Sequence, residues 1–202
     1  MSDSIEALRA VFVDVDTQVD FVEPDGALYV PGAERLKPAF ARLIAAASEH
    51  GSRVIASADA HAPDDPEFTQ FPPHCLAGTP GQRRVAETEP SQARVIAVDG
   101  TGGEGDATTV VLEKVKFDLF TNPAAERVLK ETGAETAIVF GVALDYCVRA
   151  AALGLRERGY ETIVVRDATA PVTVDGGARA ETELREAGVV FATTDEVVSR
   201  LA

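Results

Sequence analysis

The segment AIVFGVALDYCVR, residues 137–149, predicts a buried strand that turns directly into a helix. Its apolar run ends at Gly141, and six residues later a lone Cys147 opens the helical pattern. The N–H groups and the partial positive charge of a helix N-terminus stabilise a thiolate. We therefore expect a lowered pKa for Cys147, which would make its thiol a nucleophile at neutral pH.

Short apolar runs of the same kind alternate with helical patterns along the chain. Strands are predicted at 10–15, 53–57, 94–98, 108–112, 162–165 and 189–192, and helices at 33–50, 123–132, 146–158, 176–187 and 194–201. This alternation is typical of a three-layer α/β fold with a mostly parallel central sheet and helices on both faces. The runs at 94–98 and 108–112 could form a hairpin. Alternatively, the first run could be a short edge strand.

The composition predicts one domain over residues 1–202, because 46% of the residues are hydrophobic and no proline- or serine-rich linker divides the chain. A formal net charge of −14 disfavours nucleic acid and anionic membranes as partners and favours a small neutral or cationic ligand. Residues 1–9 lack the regions of a signal peptide, and no apolar stretch is long enough to cross a bilayer. We expect a cytoplasmic protein, and the sequence is compatible with a homo-oligomer.

Reactive side chains follow four of the predicted strands. They are Asp16, Asp59, Lys114 and Cys147. Because the carboxyl ends of parallel strands meet at one edge of the sheet, we expect these side chains to converge there. A buried carboxylate can accept the proton of a thiol, and an ammonium group stabilises the thiolate or a developing oxyanion. The pattern therefore predicts a nucleophilic site.

A second group of residues predicts a metal site. Asp59 and His61 project to the same side of an extended segment, and Glu67 and His74 follow in a long proline-rich loop at 62–92. One or two carboxylates with two imidazoles suit zinc, iron or manganese. The alternative for Asp59 and His61 is an ordinary hydrogen-bonded loop pair.

Five motifs, in their order along the chain, resemble those of the isochorismatase-like cysteine hydrolases, and among these the nicotinamidases (pyrazinamidases). They are DTQVDF at 16–21, DAH at 59–61, FPPHCLAGTPG at 71–81, KVKFDLF at 114–120 and GVALDYCV at 141–148. The resemblance implies the isochorismatase-like hydrolase fold. It also implies a cysteine amidohydrolase that converts nicotinamide to nicotinic acid and ammonia through a thioester, a reaction of NAD salvage.

The resemblance also implies roles for single residues. Asp16 would accept the proton, Lys114 would be its cationic partner and Cys147 the nucleophile. The D-x-Q-x-D-F frame favours Asp16 over Asp14, and the K-x-x-F-D-L-F frame favours Lys114 over Lys116.

Two further features follow from the resemblance. The bond between Val142 and Ala143 would be a cis peptide, and the backbone N–H groups of Ala143 and Cys147 would form an oxyanion hole. Phe21 and Phe71 would sandwich the substrate ring, whose pyridine nitrogen would meet the metal.

The metal ligands implied by the resemblance are Asp59, His61 and His74, with zinc as the first choice and iron or manganese as alternatives. Glu67 is a candidate further ligand, because it stands where many nicotinamidases have a third histidine. This departure puts the identity of the metal in question.

Several of these residues also have a plain structural interpretation. Cys75 is expected to pack as a buried free thiol, because two cysteines make no disulfide framework. Asp20 would cap a turn or a helix start, and Asp145 and Tyr146 would cap and pack the helix after Gly141. The alternative for Phe21, Phe71 and Phe117 is a position in the hydrophobic core. The alternative functions are hydrolysis of another amide or of an N-carbamoyl compound, and a catalytically silent metal-binding or scaffolding relative.

Overall fold

A seven-stranded sheet forms the centre of the computed structural model, which describes residues 9–201. Residues 1–8, on which the expectation about a signal peptide depends, and Ala202 lie outside the described part. The strands are β1 (Ala10–Val15), β2 (Val54–Asp59), β3 (Ala93–Ile96), β4 (Thr109–Lys114), β5 (Thr136–Val142), β6 (Glu161–Ala170) and β7 (Val190–Ala192). Their order is β3-β4-β2-β1-β5-β6-β7, and every neighbouring pair is parallel.

Helices cover both faces of this sheet. They are α1 (Val19–Val22), α2 (Lys37–His50), α3 (Ala125–Glu131), α4 (Arg149–Glu157), α5 (Val174–Glu186) and α6 (Thr194–Leu201). Helices α3, α4 and α5 pack in one core with one set of strand side chains, and α2 and α6 pack in a second core with the other set. The predicted three-layer α/β fold is confirmed.

The two cores follow from the alternation of side chains along buried strands. In β1, Val11 and Val13 belong to one core and Phe12 to the other, and the whole strand is buried. Helix α2 presents Phe40 and Leu43 to the second core at helical spacing.

The structure decides between two predicted strand pairings and corrects one strand boundary. Of the two interpretations of the runs near 94–98 and 108–112, the hairpin is wrong, because β3 pairs in parallel with β4, and the short edge strand is confirmed, because β3 lies at an edge of the sheet. Strand β6 continues beyond Val165 to Ala170. Its exposed Arg166 and Asp167 interrupt the apolar run, and the pairing of β5 with β6 shifts register beside them, so the pattern alone ended the strand early.

The loop at 62–92 contains two short 3₁₀ turns, Pro66–Thr69 and Pro80–Gln82, and joins β2 to β3. Backbone bonds from Val19 N to Arg83 O and from Val85 N to Thr17 O tie its end to the segment that follows β1. Among the described helices, none is both long enough and apolar enough to cross a membrane.

Candidate active site

The four reactive side chains come from the carboxyl ends of four strands. Asp59 and Lys114 are the last residues of β2 and β4 and pair in register. Asp16 follows β1, and Cys147 lies in a π-helical turn, Leu144–Val148, that joins β5 to α4. Because β1 lies between β2 and β5, the structure brings all four to one edge of the sheet.

Lys114 is the centre of this cluster and is buried. Its Nζ lies 2.8 Å from Oδ2 of Asp16 and 2.5 Å from Oδ1 of Asp59. The same nitrogen lies 3.7 Å from Sγ of Cys147. Within the described residues, one ammonium group therefore contacts two carboxylates and the thiol.

Burial disfavours the charged form of every group in the cluster. It raises the pKa of Asp16 and outweighs the attraction of Lys114. Burial opposes the charge of Lys114, but Asp16 and Asp59 raise its pKa well above the ordinary value. Burial also raises the pKa of Cys147 well above its ordinary value, and Lys114 only partly offsets this. The expected lowering of the pKa of Cys147 is therefore wrong, because burial of the sulfur outweighs the attraction of Lys114.

The carboxylate of Asp16 is held in place by Ser57. Ser57 Oγ donates a 2.6 Å hydrogen bond to Asp16 Oδ1, and Asp16 N donates to Ser57 O at 3.3 Å. Asp16 has a φ of 49°, in the left-handed region that non-glycine residues rarely occupy. Its other oxygen, Oδ2, is left to face Lys114.

The turn before Cys147 contains the expected cis peptide between Val142 and Ala143. Gly141 precedes it with a φ of 115°, and a Cβ at this position would lie 2.0 Å from Val15 O. Only glycine fits this close approach of β5 to β1. The carbonyl of Ala143 accepts hydrogen bonds from the backbone of the π-helical turn, including Tyr146 N at 3.0 Å.

Asp59 of this cluster and two buried histidines next to it fit a metal ion. Nε2 of His61 and Nε2 of His74 lie 3.7 and 3.8 Å from Oδ2 of Asp59. Among the described residues, Nε2 of His61 has no hydrogen-bond partner. Two imidazole nitrogens and a carboxylate oxygen thus face one point, which is a donor set for zinc, iron or manganese.

The remaining imidazole nitrogens fix this arrangement. Nδ1 of His61 lies 2.9 Å from Oδ2 of Asp65, and Nδ1 of His74 lies 2.8 Å from the backbone oxygen of Pro72. A proton on each Nδ1 satisfies these acceptors and leaves the lone pair of each Nε2 for a cation. Burial opposes the ionisation of Asp59, but the Lys114 ammonium helps to hold its pKa well below the usual range.

Glu67 and Asp59 both line a cavity that opens onto Cys147, and the side chain of Glu67 is 10% exposed. A carboxylate oxygen of Glu67 falls within 4.8 Å of ligand atoms of His61 and Asp65. Lys116, the competitor of Lys114, has an exposed side chain whose Nζ lies 3.9 Å from Glu67. The structure therefore leaves Glu67 beside the metal cluster and Lys116 in solvent.

Gln18 is a buried residue of this site to which the sequence reasoning gave no role. Its Nε2 donates to Asp59 O at 2.9 Å and to Gln82 O at 2.8 Å, and its Oε1 accepts from Asp59 N at 2.8 Å. The amide therefore holds the backbone of Asp59 from both sides. Its place inside the D-x-Q frame was the only signal in the sequence.

We expect Gln18→Ala to lower the free energy of unfolding by about 2–4 kcal/mol, because it leaves buried backbone groups of Asp59 unpaired. Metal affinity should fall about 10- to 100-fold, since Asp59 loses its support. Urea unfolding and a zinc titration measure the two effects, and Gln70→Ala, at an exposed glutamine of the loop at 62–92, is the control. Unchanged zinc affinity would contradict the role assigned to Gln18.

A cavity opens onto Cys147. Phe21, Phe71, Phe117 and Tyr146 contribute aromatic rings to its wall. Phe71, Phe117 and Tyr146 pack edge to face, with centroids 5.2 to 6.4 Å apart. Phe117 and Tyr146 are 39% and 36% exposed, so the core interpretation of Phe117 and the simple packing role of Tyr146 are wrong. Both side chains lie in the cavity wall. Their motifs, KVKFDLF and GVALDYCV, come at the ends of β4 and β5, next to the site.

Other polar residues of the motifs hold loops together. Asp145 Oδ1 accepts from Val172 N at 2.8 Å rather than capping its own helix, so that expectation is wrong. Asp20 accepts from Ala27 N at 3.1 Å and from Cys75 N at 2.7 Å, which is the turn-holding role expected of it. Cys75 is a buried free thiol, and burial raises its pKa.

Comparison with known proteins agrees with this architecture. The sequence model of the isochorismatase domain matches residues 10–196. The chain is 33% identical over 189 residues to the nicotinamidase/pyrazinamidase of Mycobacterium tuberculosis, which covers 90% of this chain and 97% of that protein. It is 28% identical over 193 residues to the nicotinamidase of Saccharomyces cerevisiae, covering 80% and 88%.

Two solved structures are similar throughout. The pyrazinamidase of Pyrococcus horikoshii in complex with zinc has a TM-score of 0.78 and 28% identity, covering 92% of this chain and 99% of that one. The N-carbamoylsarcosine amidase of Thermoplasma acidophilum has a TM-score of 0.76 and 27% identity, covering 92% and 96%. The chain therefore belongs to the isochorismatase family and is an amidohydrolase within it.

Proposed function

We propose that the chain hydrolyses nicotinamide to nicotinic acid and ammonia through a thioester on Cys147, as a step of NAD salvage. The observation that carries the proposal is the position of the Asp16, Lys114 and Cys147 cluster at the base of an aromatic cavity. The candidate metal cluster borders that cavity through Asp59 and His74. An uncharged heteroaromatic amide fits such a cavity through ring stacking and its ring nitrogen.

Asp16 acts as the general base in this proposal. Its carboxylate contacts the same Lys114 ammonium as the Cys147 sulfur and lines the same cavity, and burial raises its pKa, which makes it a better proton acceptor. The proton moves from the thiol to Asp16 as the sulfur attacks the carboxamide carbon. Lys114, which stays charged, stabilises the thiolate during the transfer.

The tetrahedral intermediate needs donors for its oxyanion. The backbone N–H groups of Ala143 and Cys147 supply them in this proposal, on the turn that contains the cis peptide. Ammonia then leaves with the proton from Asp16, and a thioester forms. Water attacks the thioester as Asp16 accepts its proton, and nicotinic acid leaves. Asp16 then returns this proton to the sulfur, which restores the thiol.

Asp59, His61 and His74 would hold the divalent metal, with zinc as the first choice, iron or manganese as alternatives and Glu67 as a candidate further ligand. A bound divalent ion supplies a Lewis acid that can accept the lone pair of a pyridine nitrogen. Phe21 and Phe71 would then hold the two faces of the ring.

A substrate panel tests the proposal. Ammonia release is measured from nicotinamide, pyrazinamide, benzamide, maleamate and N-carbamoylsarcosine, and nicotinic acid is identified by chromatography. We expect the highest kcat/KM with the two heteroaromatic amides. Preference for an aliphatic or N-carbamoyl substrate would overturn the nicotinamide assignment and favour the alternative amidase. No turnover of any amide, with Cys147 unreactive toward a mild alkylating agent, would favour a silent relative.

Removal of the metal should separate ring binding from chemistry. After chelation and dialysis we expect the KM for nicotinamide to rise about 10-fold or more, and zinc, iron or manganese to restore it. Benzamide has no ring nitrogen, so its slower hydrolysis is expected to change little. Equal losses with both amides would contradict a role of the metal in holding the ring nitrogen.

A further inference from the structure

A buried ion pair lies next to the catalytic cluster and has no part in the reaction described above. Asp14 is fully buried in β1, and its Oδ2 accepts a hydrogen bond from Nη2 of Arg84. The side chain of Arg84 is 6% exposed and comes from the end of the loop at 62–92. The polar loop around Arg84 gave no indication of this contact.

The guanidinium of Arg84 reaches well beyond Asp14. Nη2 also donates to Thr17 Oγ1 at 2.9 Å, Nη1 donates to Ser57 O at 3.4 Å, and Nε donates to Thr88 O at 3.3 Å. One planar group therefore joins the end of β1, the middle of β2 and the loop. An arginine can do this because its donors point in several fixed directions, whereas a lysine is a single point charge.

These contacts lead directly to the catalytic carboxylate. The carbonyl of Ser57 that accepts from Arg84 also accepts from Asp16 N, and Ser57 Oγ donates to Asp16 Oδ1. Thr17, the other partner of Arg84, is the next residue after Asp16. Asp16 has a left-handed backbone, which persists only where its surroundings hold it.

Stability alone does not explain this pair. Burial raises the pKa of Asp14 to about 6 although Arg84 lowers it, and Asp14 Oδ1 is buried without a partner among the described residues. The folded chain thus holds this proton more tightly than the unfolded chain, so stability is lost as pH rises from the ordinary pKa toward 6. A pair of apolar side chains can replace a buried ion pair without loss of stability.

We propose that Arg84 is a positioning residue that acts through Ser57 on the carboxylate of Asp16. Asp14 is the buried counter-ion that keeps the guanidinium in place. The inference rests on the proposed function only in that Asp16 is taken as the proton acceptor for Cys147.

The test replaces the pair as a unit, Asp14→Leu with Arg84→Met, so that no single buried charge is left behind. Activity is measured with the amide that the wild-type chain hydrolyses best. We expect urea unfolding to show equal or higher stability, and kcat to fall about 10- to 100-fold because Asp16 is misplaced. KM and the metal content per chain should not change. Arg156→Met, which removes bonds to Tyr160 O and Ala187 O elsewhere in the fold, is the matched control.

Arg84→Lys is the second variant. It tests the positioning role of Arg84 even if the double variant does not fold. Lysine keeps the charge opposite Asp14 but cannot contact Thr17, Ser57 and Thr88 together. We expect a folded protein with a kcat at least about 10-fold lower. Combining Arg84→Lys with Ser57→Ala should lower kcat by less than the product of the two single effects, since both act on one carboxylate.

Wild-type kcat in a folded double variant, or in Arg84→Lys, would overturn the proposal. A fall in metal content with either variant would also overturn it, because the effect would then pass through the loop that carries His74. Failure of the proposed function has a different signature, in which the wild-type chain itself prefers another amide or releases no ammonia.

Discussion

We expect Cys147→Ala to lower the rate of hydrolysis of the proposed substrate, nicotinamide, by about 10⁴-fold or more, because it removes the proposed nucleophile of a covalent mechanism. The side chain is small and belongs to a well-packed core, so we expect the free energy of unfolding to change by about 1 kcal/mol. Steady-state assays of ammonia release and urea unfolding provide the two measurements. Metal content should equal that of the wild type, because Cys147 is not among the candidate ligands.

Cys75→Ala is the matched control for this experiment. Cys75 is also buried and is also a free thiol. Its Sγ lies 4.0 Å from the backbone oxygen of Gly81, whereas the sulfur of Cys147 lies 3.7 Å from Nζ of Lys114. Turnover within a factor of about two of the wild type is expected. Normal activity of Cys147→Ala, or equal losses in both variants, would remove Cys147 from the mechanism.

Lys114→Met should have a large effect on stability as well as on activity. It leaves the carboxylates of Asp16 and Asp59 buried without the ammonium that now contacts both. Removal of one partner from a buried ion pair lowers the free energy of unfolding by about 3–5 kcal/mol. Urea unfolding measures the loss, and it should be smaller with zinc bound, since a second cation then faces Asp59.

Lys116→Met is the control, two residues further along the chain. Its side chain is exposed, and a surface change of this kind shifts stability by about 0.5 kcal/mol or less. Equal stability of Lys114→Met and Lys116→Met would contradict the buried cluster. Turnover by a folded Lys114→Met variant at the wild-type rate would contradict its part in stabilising the thiolate.

The strands and the location of the site could be predicted because buried parallel strands are continuous apolar runs. Asp16, Asp59, Lys114 and Cys147 stand at the ends of such runs, so their meeting at one edge follows from topology alone. The end of β6 could not be predicted in this way, since an exposed charged pair lies inside that strand.

The supporting contacts could not be predicted from local pattern. Arg84 and Gln18 act through bonds to residues about 40 to 70 positions away, and no periodicity encodes such distances. The pKa of Cys147 was predicted in the wrong direction because local sequence shows a helix start but not how deeply the sulfur is buried. The burial of the sulfur, which raises its pKa, depends on three-dimensional packing.

The central position of β1 also has a consequence for how the chain folds. β1 is made first, yet its neighbours β2 and β5 come later, and Asp16 and Cys147 are separated by more than a hundred residues. Parallel pairings of this sequence separation form slowly, because loop-closure entropy opposes them before contacts compensate. Catalytic competence should therefore arise late in folding, and activity recovered during refolding reports completion of the native topology rather than of any one part of it.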